Sequence, residues 1–506
     1  MIDPIVILLV GAVLVWDGVF AGRTGAAPGG ASLALGMTVP FAIALVAHAR
    51  VAMLVRAVDR DGRARRLLRA ERTVSAARVA IGASAAWAIV GEAWLVMVRD
   101  RIGDLVLLDE ALAILPALLA LAWLWAAHYP VERRIRDALV LRSLDTDAGM
   151  HAPPTRWQYV LDQARHRALL ALVPIGLIGA WVEGVDRALA MAQARGWITL
   201  DGDGWMLGAG TLEAAGALLT LALTPPLVRR IWDTVPLGAG ALRDRLDALC
   251  KRQRVGVAEI LVWRTRGATL NAAVMGVFAP VRYVLLSDAL LERLPDDELE
   301  AVVAHEVGHA RRRHLPWLMG ALGATIGLGA LTGDLAAQLL PAHAAEWGVW
   351  LDSIAIALGL CAGFWALGMV SRRFERQADA FAVQHLSGMA GGHASDAPAT
   401  EEATRAMAGA LGRVAALSHI PTERFTWRHG SIGSRQRAIL HLAGRPLDAF
   451  DADRAANRAK RATLVALVAF VALASWRISV DARGGAQETG RPDGSDRPVQ
   501  SILPAR

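Results

Sequence analysis

The string His305-Glu306-Val307-Gly308-His309 sets two imidazoles four residues apart with a carboxylate beside the first. On a helix, positions i and i+4 share a face, so both rings can reach one metal ion while Glu306 stands next to it as a proton acceptor. That arrangement suits metal-assisted hydrolysis, and one zinc ion per chain is the expected cofactor. A catalytic zinc site takes three protein ligands and keeps one position open for water. His305 and His309 supply two. The third is expected from "SRRFERQADAFAVQHL", where Glu375 and Asp379 also lie four apart on one helical face. Glu375 is assigned as ligand, and Asp379 as the group that orients a ligating histidine through its other ring nitrogen. Alone, this string reads as a solvated charged helix; an upstream H-E-x-x-H reverses that reading.

The elements that must position these groups are legible nearby. Pro295 opens a helix whose first turn holds Asp296, Asp297 and Glu298, where carboxylates complement the helix dipole. Leu299, Val302 and Val303 continue it as an apolar stripe up to the histidines. Upstream, "VAEILVWR" and "YVLLSDALL" flank "TLNAAVMGVFAPV", a pattern of short strands. Asn271, at the head of "NAAV", is a candidate for a strand that an extended substrate could join by main-chain hydrogen bonds. A small sheet that only packs is an equal reading. Residues 387–403, rich in Gly, Ala and Ser, read as a mobile linker.

With 54% hydrophobic residues in 506 and a mean hydropathy of +0.36, the chain is too apolar for an ordinary soluble enzyme and reads as mainly α, a polytopic helical membrane protein. About nine spans are expected, near residues 5–21, 33–47, 79–98, 111–129, 168–182, 206–228, 315–331, 348–370 and 462–476. The second, fifth and ninth are shorter than the roughly 20 residues a crossing needs. The net charge of +7 does not argue for nucleic acid, because nearly all basic residues are Arg between spans, with only Lys251 and Lys460 besides. Arg50 to Arg78 and Arg133 to Arg167 mark cytoplasmic loops by the positive-inside rule, which places the motif on the inner side of the membrane. Four parts are expected: a membrane domain at 1–228, a metal-site domain at 229–445 with two further spans, a last span region at 446–482, and a disordered tail at 483–506.

Other residues invite attention less. His314, behind Arg311 to Arg313, reads as part of a solvated or headgroup-facing cluster rather than a fourth ligand. Cys250 and Cys361 read as buried apolar residues. Asp17, Glu92, Glu213 and Asp352 lie in or near spans, where function and interior pairing are equal contenders. Trp94 and Trp181 read as interfacial anchors.

Four strings, "NAAV", "SDALLERLPDDELEAVVAHEVGH", "SRRFERQADAFA" and "RHGSIGSRQRAI", resemble in order and spacing the integral-membrane gluzincins typified by HtpX-type proteases and CAAX prenyl proteases. The resemblance covers about residues 246–442. It implies a zincin-like catalytic domain in which His305, His309 and Glu375 bind zinc, Glu306 is the base and Asp379 stands behind the ligands. It also implies that His429 and Arg435 lie at the active site and bind or polarise the substrate carbonyl. One departure is Gly430, where the family pattern usually has Pro. The reading that follows is a membrane-embedded zinc metalloendopeptidase in a bacterial inner membrane, acting at the cytoplasmic face on misfolded or regulated membrane proteins. A CAAX-type prenyl-protein or peptide-processing protease is the alternative, and a metalloprotease-like sensor is the alternative of another class. The expected partners are a protein or peptide substrate and the lipid bilayer.

Overall fold

A computed structural model describes residues 4–16, 31–63, 65–143, 152–198, 202–338, 348–389 and 396–489. Among them the chain forms α1 (Pro4–Val15), α2 (Val39–Asp61), α3 (Arg65–Gly91), α4 (Trp94–Ile102), α5 (Leu108–Ser143), α6 (Arg156–Gln163), α7 (Leu170–Ala194) and α8 (Gly202–Ile231). A mixed region follows: β1 (Thr234–Pro236), α9 (Ala241–Arg252), β2 (Glu259–Trp263), β3 (Ala272–Met275), β4 (Tyr283–Ser287) and α10 (Asp288–Arg293). The remainder is α11 (Asp296–Arg311), α12 (His314–Gln338), α13 (Gly348–Leu386), α14 (Glu401–Leu417), α15 (Ile432–Leu440) and α16 (Asp451–Thr489).

Among the described residues, seven helical stretches are long and apolar enough to cross a membrane, by length and composition: Ala34–Asp61, Arg65–Gly91, Leu108–Asp137, Arg156–Ala194, Gly208–Ile231, His314–Gly333 and Asp451–Arg477. The chain is an integral membrane protein with a small mixed sheet. The two other expected spans fall at α1, which has 12 described helical residues, and in the first part of α13. The three apparently short spans lie inside much longer helices, of 28, 39 and 27 residues. Arginine is a good helix former, so a helix continues where its apolar stretch stops. The expected loop at Arg50 to Arg78 is accordingly a tight helical hairpin: α2 ends on Gly62 at φ 66° and α3 begins at Arg65. Arg134 of α5 donates to both carboxylate oxygens of Asp59 at 2.7 and 2.8 Å, tying this end of the bundle together.

Two compact units emerge, Met1–Arg245 with Gly256–Pro295, and Leu246–Val255 with Asp296–Arg506. The first holds α1 to α8, the sheet and α10, so the strands group with the N-terminal helices rather than with the metal-site residues. Its core is a set of buried apolar side chains mostly from α1 to α5, including Leu9, Ile81, Leu121 and Leu124, with Tyr159 of α6 and Ala171 of α7. Trp94 belongs to it, 6% exposed and donating from its indole to the carbonyl of Ala113 at 2.9 Å. It is a core residue and not an interfacial anchor. The sheet runs β1-β2-β4-β3, with β2 and β4 parallel and the outer pairs antiparallel. All five residues of β4 are buried, which explains its unbroken apolar sequence. β1 escaped the sequence reading because three residues ending in proline carry no periodic signal; Pro236 is tolerated at the sheet's edge. Asn271 lies just before β3, the other edge, and its N–H donates to Ser287 Oγ at 3.0 Å.

In the second unit α12, α13 and α16 pack through small residues. A Cβ on Gly327 would fall 2.4 Å from the Phe470 ring, and one on Gly359 would fall 3.3 Å from the Cα of Gly329. Helices exposed to lipid gain association from such close approach. The expected linker is partly outside the described residues, at 390–395. Its C-terminal flank is tied to the fold: Ala399 N–H donates to the Arg445 carbonyl at 2.9 Å, and Thr400 caps α14. The expected tail is helical as far as Thr489, and 490–506 lie outside the described residues, as does Asp17. Cys250 is buried as expected, whereas Cys361 is exposed.

Candidate metal centre

α11 carries the motif because its sequence satisfies both ends of a helix. Asp296, Asp297 and Glu298 sit in the first turn, and His309 and Arg311 in the last. Glu298 is also buried and receives two hydrogen bonds from Arg413 of α14, at 2.6 and 3.0 Å, which fixes the start of the helix. Gly308 lets α11 approach α13 closely: a Cβ there would lie 2.9 Å from the Phe381 ring. This contact brings the motif face onto the segment of α13 that carries Glu375 and Asp379. That segment is the reverse of a solvated helix, with Phe374, Glu375, Gln377, Ala378, Asp379 and Ala380 all buried.

The expected ligands converge. His305, His309 and Glu375 each offer one donor atom, all within 4.8 Å of one another. The two Nε2 atoms stand 3.2 Å apart, and each lies 3.7 Å from a carboxylate oxygen of Glu375. Behind His305, Asp379 Oδ1 is 2.9 Å from Nδ1. A carboxylate here accepts, so the hydrogen sits on Nδ1 and Nε2 turns a lone pair toward Glu375. Two imidazoles and a carboxylate, all acceptors aimed at one point, form a donor set for zinc. The residues fit the ion.

Arg435, from α15, holds the carboxylates. Its Nε and Nη2 donate to the two oxygens of Asp379 at 2.8 and 2.6 Å, and its Nη1 lies 3.0 Å from Glu375 Oε2. Burial pushes these groups toward their neutral forms and their mutual attraction overrides it. For Glu375, burial is outweighed by the hydrogen bond from His429 and the charge of Arg435, so its carboxyl is held well below the usual range. For Asp379, burial is outweighed first by the Arg435 charge, and it too is depressed. Arg435 is raised, because Asp379, Glu375 and Glu306 together exceed its desolvation. Burial lowers His305, but the bond to Asp379 reverses the sign and raises it above 6.5. His309, with burial and the neighbouring His305 both disfavouring charge, is lowered to about 3.

His429 Nδ1 lies 2.9 Å from Glu375 Oε1, and its side chain is 51% exposed. The loop that presents it is closed by paired backbone hydrogen bonds between Thr426 and Gly430, at 2.9 and 3.1 Å. Gly430 sits at φ 76°, a value proline cannot adopt. Where the family pattern has Pro, this loop takes a turn that proline could not, and it brings His429 to Glu375. Glu306 is half-buried on the same helix as the ligand pair.

His314 is not solvated as its arginine-rich surroundings suggest. It is 1% exposed, with Nδ1 2.8 Å from His309 Nδ1 and Nε2 2.9 Å from Gln377 Oε1. Helical spacing could not reveal this, since positions five apart do not share a face. The chain breaks between α11 and α12 at Arg313, at φ 53°, and folds His314 back onto His309.

Residues 243–396, which include the motif and Glu375, match Peptidase family M48. The segment resembles a family M48 peptidase domain. The resemblance read from the four strings is thus borne out. Among curated proteins, a CAAX prenyl protease 1 homolog of Arabidopsis thaliana is 27% identical over 184 residues, covering 33% of this chain and 42% of that protein. One of Oryza sativa subsp. japonica is 27% identical over 101 residues, 19% of this chain and 24% of that protein. The chain thus spans less than half the length of these relatives. Among solved structures, that of S. mikatae Ste24p covers 82% of this chain and 100% of its own, at 14% identity and a TM-score of 0.36. His429 and Arg435 lie beyond the M48 match, yet they meet Glu375 in space.

Proposed function

We propose that the chain is a membrane-embedded zinc metalloendopeptidase that hydrolyses peptide bonds in membrane-associated proteins. The observation that supports it most is the convergence of His305, His309 and Glu375 within 4.8 Å inside an M48 segment. Zinc bound there would polarise the scissile carbonyl and lower the pKa of a water from about 15.7 towards about 7. Glu306 accepts that water's proton and delivers it to the leaving amine. Asp379 and Arg435 hold His305 and Glu375 in place, so Arg435 acts through the ligands. His429, half-exposed, is the donor left to meet the developing charge on the carbonyl oxygen, and loss of such a donor costs roughly a hundred- to a thousandfold in rate. Asn271 and the edge strand β3 remain the proposed strand for an extended substrate.

The arginine distribution supports an active site on the cytoplasmic face, and the preference for Arg over Lys a bacterial inner membrane. Quality control or regulated proteolysis of membrane proteins is the simplest role. A second reading, processing of prenylated proteins or peptides, is favoured by the names of the two plant relatives. Glu306→Gln is expected to keep zinc and to lose roughly 10²- to 10⁴-fold in cleavage of an unfolded membrane substrate. Undiminished cleavage by that variant would sink the mechanism. Trimming of a prenylated peptide, with the unfolded substrate left intact, would select the second reading.

A further inference from the structure

The two ligand histidines need their hydrogens on Nδ1, and only His305 has a carboxylate there. Behind His309 stands a second imidazole, and the direction of every hydrogen in the line behind it can be worked out from its far end. Asp453, at the start of α16, accepts a hydrogen bond from Gln377 Nε2 at 2.6 Å. The amide of Gln377 is thereby oriented with its oxygen toward His314, whose Nε2 lies 2.9 Å away. That oxygen only accepts, so His314 carries its hydrogen on Nε2 and has a lone pair on Nδ1. The lone pair faces His309 Nδ1 at 2.8 Å, so His309 is the donor there. Its Nε2 is left bare and aimed at the ligand set. The line is fixed laterally as well: the His314 ring stacks on Phe374 with a centroid separation of 4.3 Å, and Gln384 Nε2 donates to the other oxygen of Asp453 at 3.2 Å.

Resting on the zinc reading of this site, we propose that His314 is a positioning residue that fixes the tautomer and direction of His309 through the line Asp453, Gln377, His314. His314 touches neither metal nor substrate. It selects the one form of His309 that can ligate through Nε2, so its contribution is read in metal binding before any turnover. Groups behind a ligating histidine typically contribute roughly 10- to 100-fold in metal affinity.

The test uses the purified full chain in detergent, with zinc affinity measured by chelator competition, the absorption spectrum of the cobalt(II)-substituted protein, and melting of the metal-free form. His314→Phe keeps a ring over Phe374 and removes both nitrogens. It is expected to lower zinc affinity roughly 10- to 100-fold and to change the cobalt spectrum. His314→Asn returns an oxygen near the place of Nδ1 and is expected to recover most of the affinity, which a filler of space would not. Gln377→Met, one step further back, is expected to weaken zinc in the same direction and serves if the Phe variant does not fold. Unchanged affinity and spectrum in His314→Phe, or in Gln377→Met where the former fails to fold, would overturn the positioning role while leaving the protease reading intact. A wild-type protein that binds zinc tightly and cleaves nothing would overturn the protease reading alone. Wild type without measurable zinc affinity would overturn both.

Discussion

His305 and His309 are one helical turn apart, yet the groups behind them differ in kind. Behind His305 stand ions: Asp379 at 2.9 Å, both of whose oxygens are held by the Nε and Nη2 of Arg435, whose Nη1 reaches Glu375 at 3.0 Å. Behind His309 stand neutral groups, His314 and Gln377, and a carboxylate enters only at Asp453. The ionic side is strong and tolerates little, because each charge is buried and compensated by the others. The neutral side is inexpensive to bury but depends on the direction of every hydrogen. One site thus uses two means to the same end, a bare Nε2 facing Glu375.

The largest expected effect is common to both sides. Stripping the ion with a chelator is expected to abolish cleavage, and re-addition of zinc to restore it. Because zinc binds only the folded site, its removal also lowers stability, by about 4 kcal/mol if the ion had been present at a thousandfold above its Kd. Melting that is indifferent to the chelator, with cleavage retained, would remove the metal from both sides of the comparison.

Next in size is a test of the ionic side. Asp379→Asn leaves Arg435 buried with one carboxylate in place of two, and breaking such a buried pair typically costs about 3–5 kcal/mol. Replacing Arg435 as well, as Asp379→Asn with Arg435→Met, removes the uncompensated charge and is expected to return part of that stability. Zinc affinity should not return with it, since Asn no longer offers His305 a charged acceptor. A double variant no more stable than Asp379→Asn alone would show that the two residues act independently, and the ionic side would lose its distinguishing property.

What could be read from the sequence divides along the same line. His305 with His309 and Glu375 with Asp379 were legible because each pair is four apart on a helix, and Glu306 because it adjoins the first; that spacing needs no tertiary information. His314, Gln377 and Asp453 were not, because their relation depends on a left-handed residue at Arg313 and on packing between three helices. The role of Arg435 shifted for a related reason: a motif names the residue, but only the fold shows that both edges of its guanidinium are taken. At the level of the fold, apolar stretches located the membrane helices but understated their length, since α2, α3 and α5 run on through arginine-rich sequence. The strands β2, β3 and β4 were visible as β-branched runs, whereas β1 is defined only by its partner β2.

The smallest effect concerns the loop that adds His429 to the ionic side from outside the M48 segment. Gly430 at φ 76° has room for a methyl group, the nearest atoms to a Cβ there being Arg372 Cδ and Ser434 Oγ at 3.9 Å. Gly430→Ala therefore meets a backbone cost alone, about 1–2 kcal/mol for a left-handed residue. Zinc affinity should be unchanged and the melting temperature slightly lowered. Gly430→Pro restores the residue usual in the family but cannot take this φ, so the loop must rearrange and His429 must leave Glu375. The expected signature is a lower kcat with zinc affinity nearly retained, because His429 is a partner of the proposed ligand Glu375 and lies outside the proposed ligand set. If Gly430→Pro kept the wild-type kcat, the left-handed turn would not be what places His429, and its contact with Glu375 would have no part in turnover.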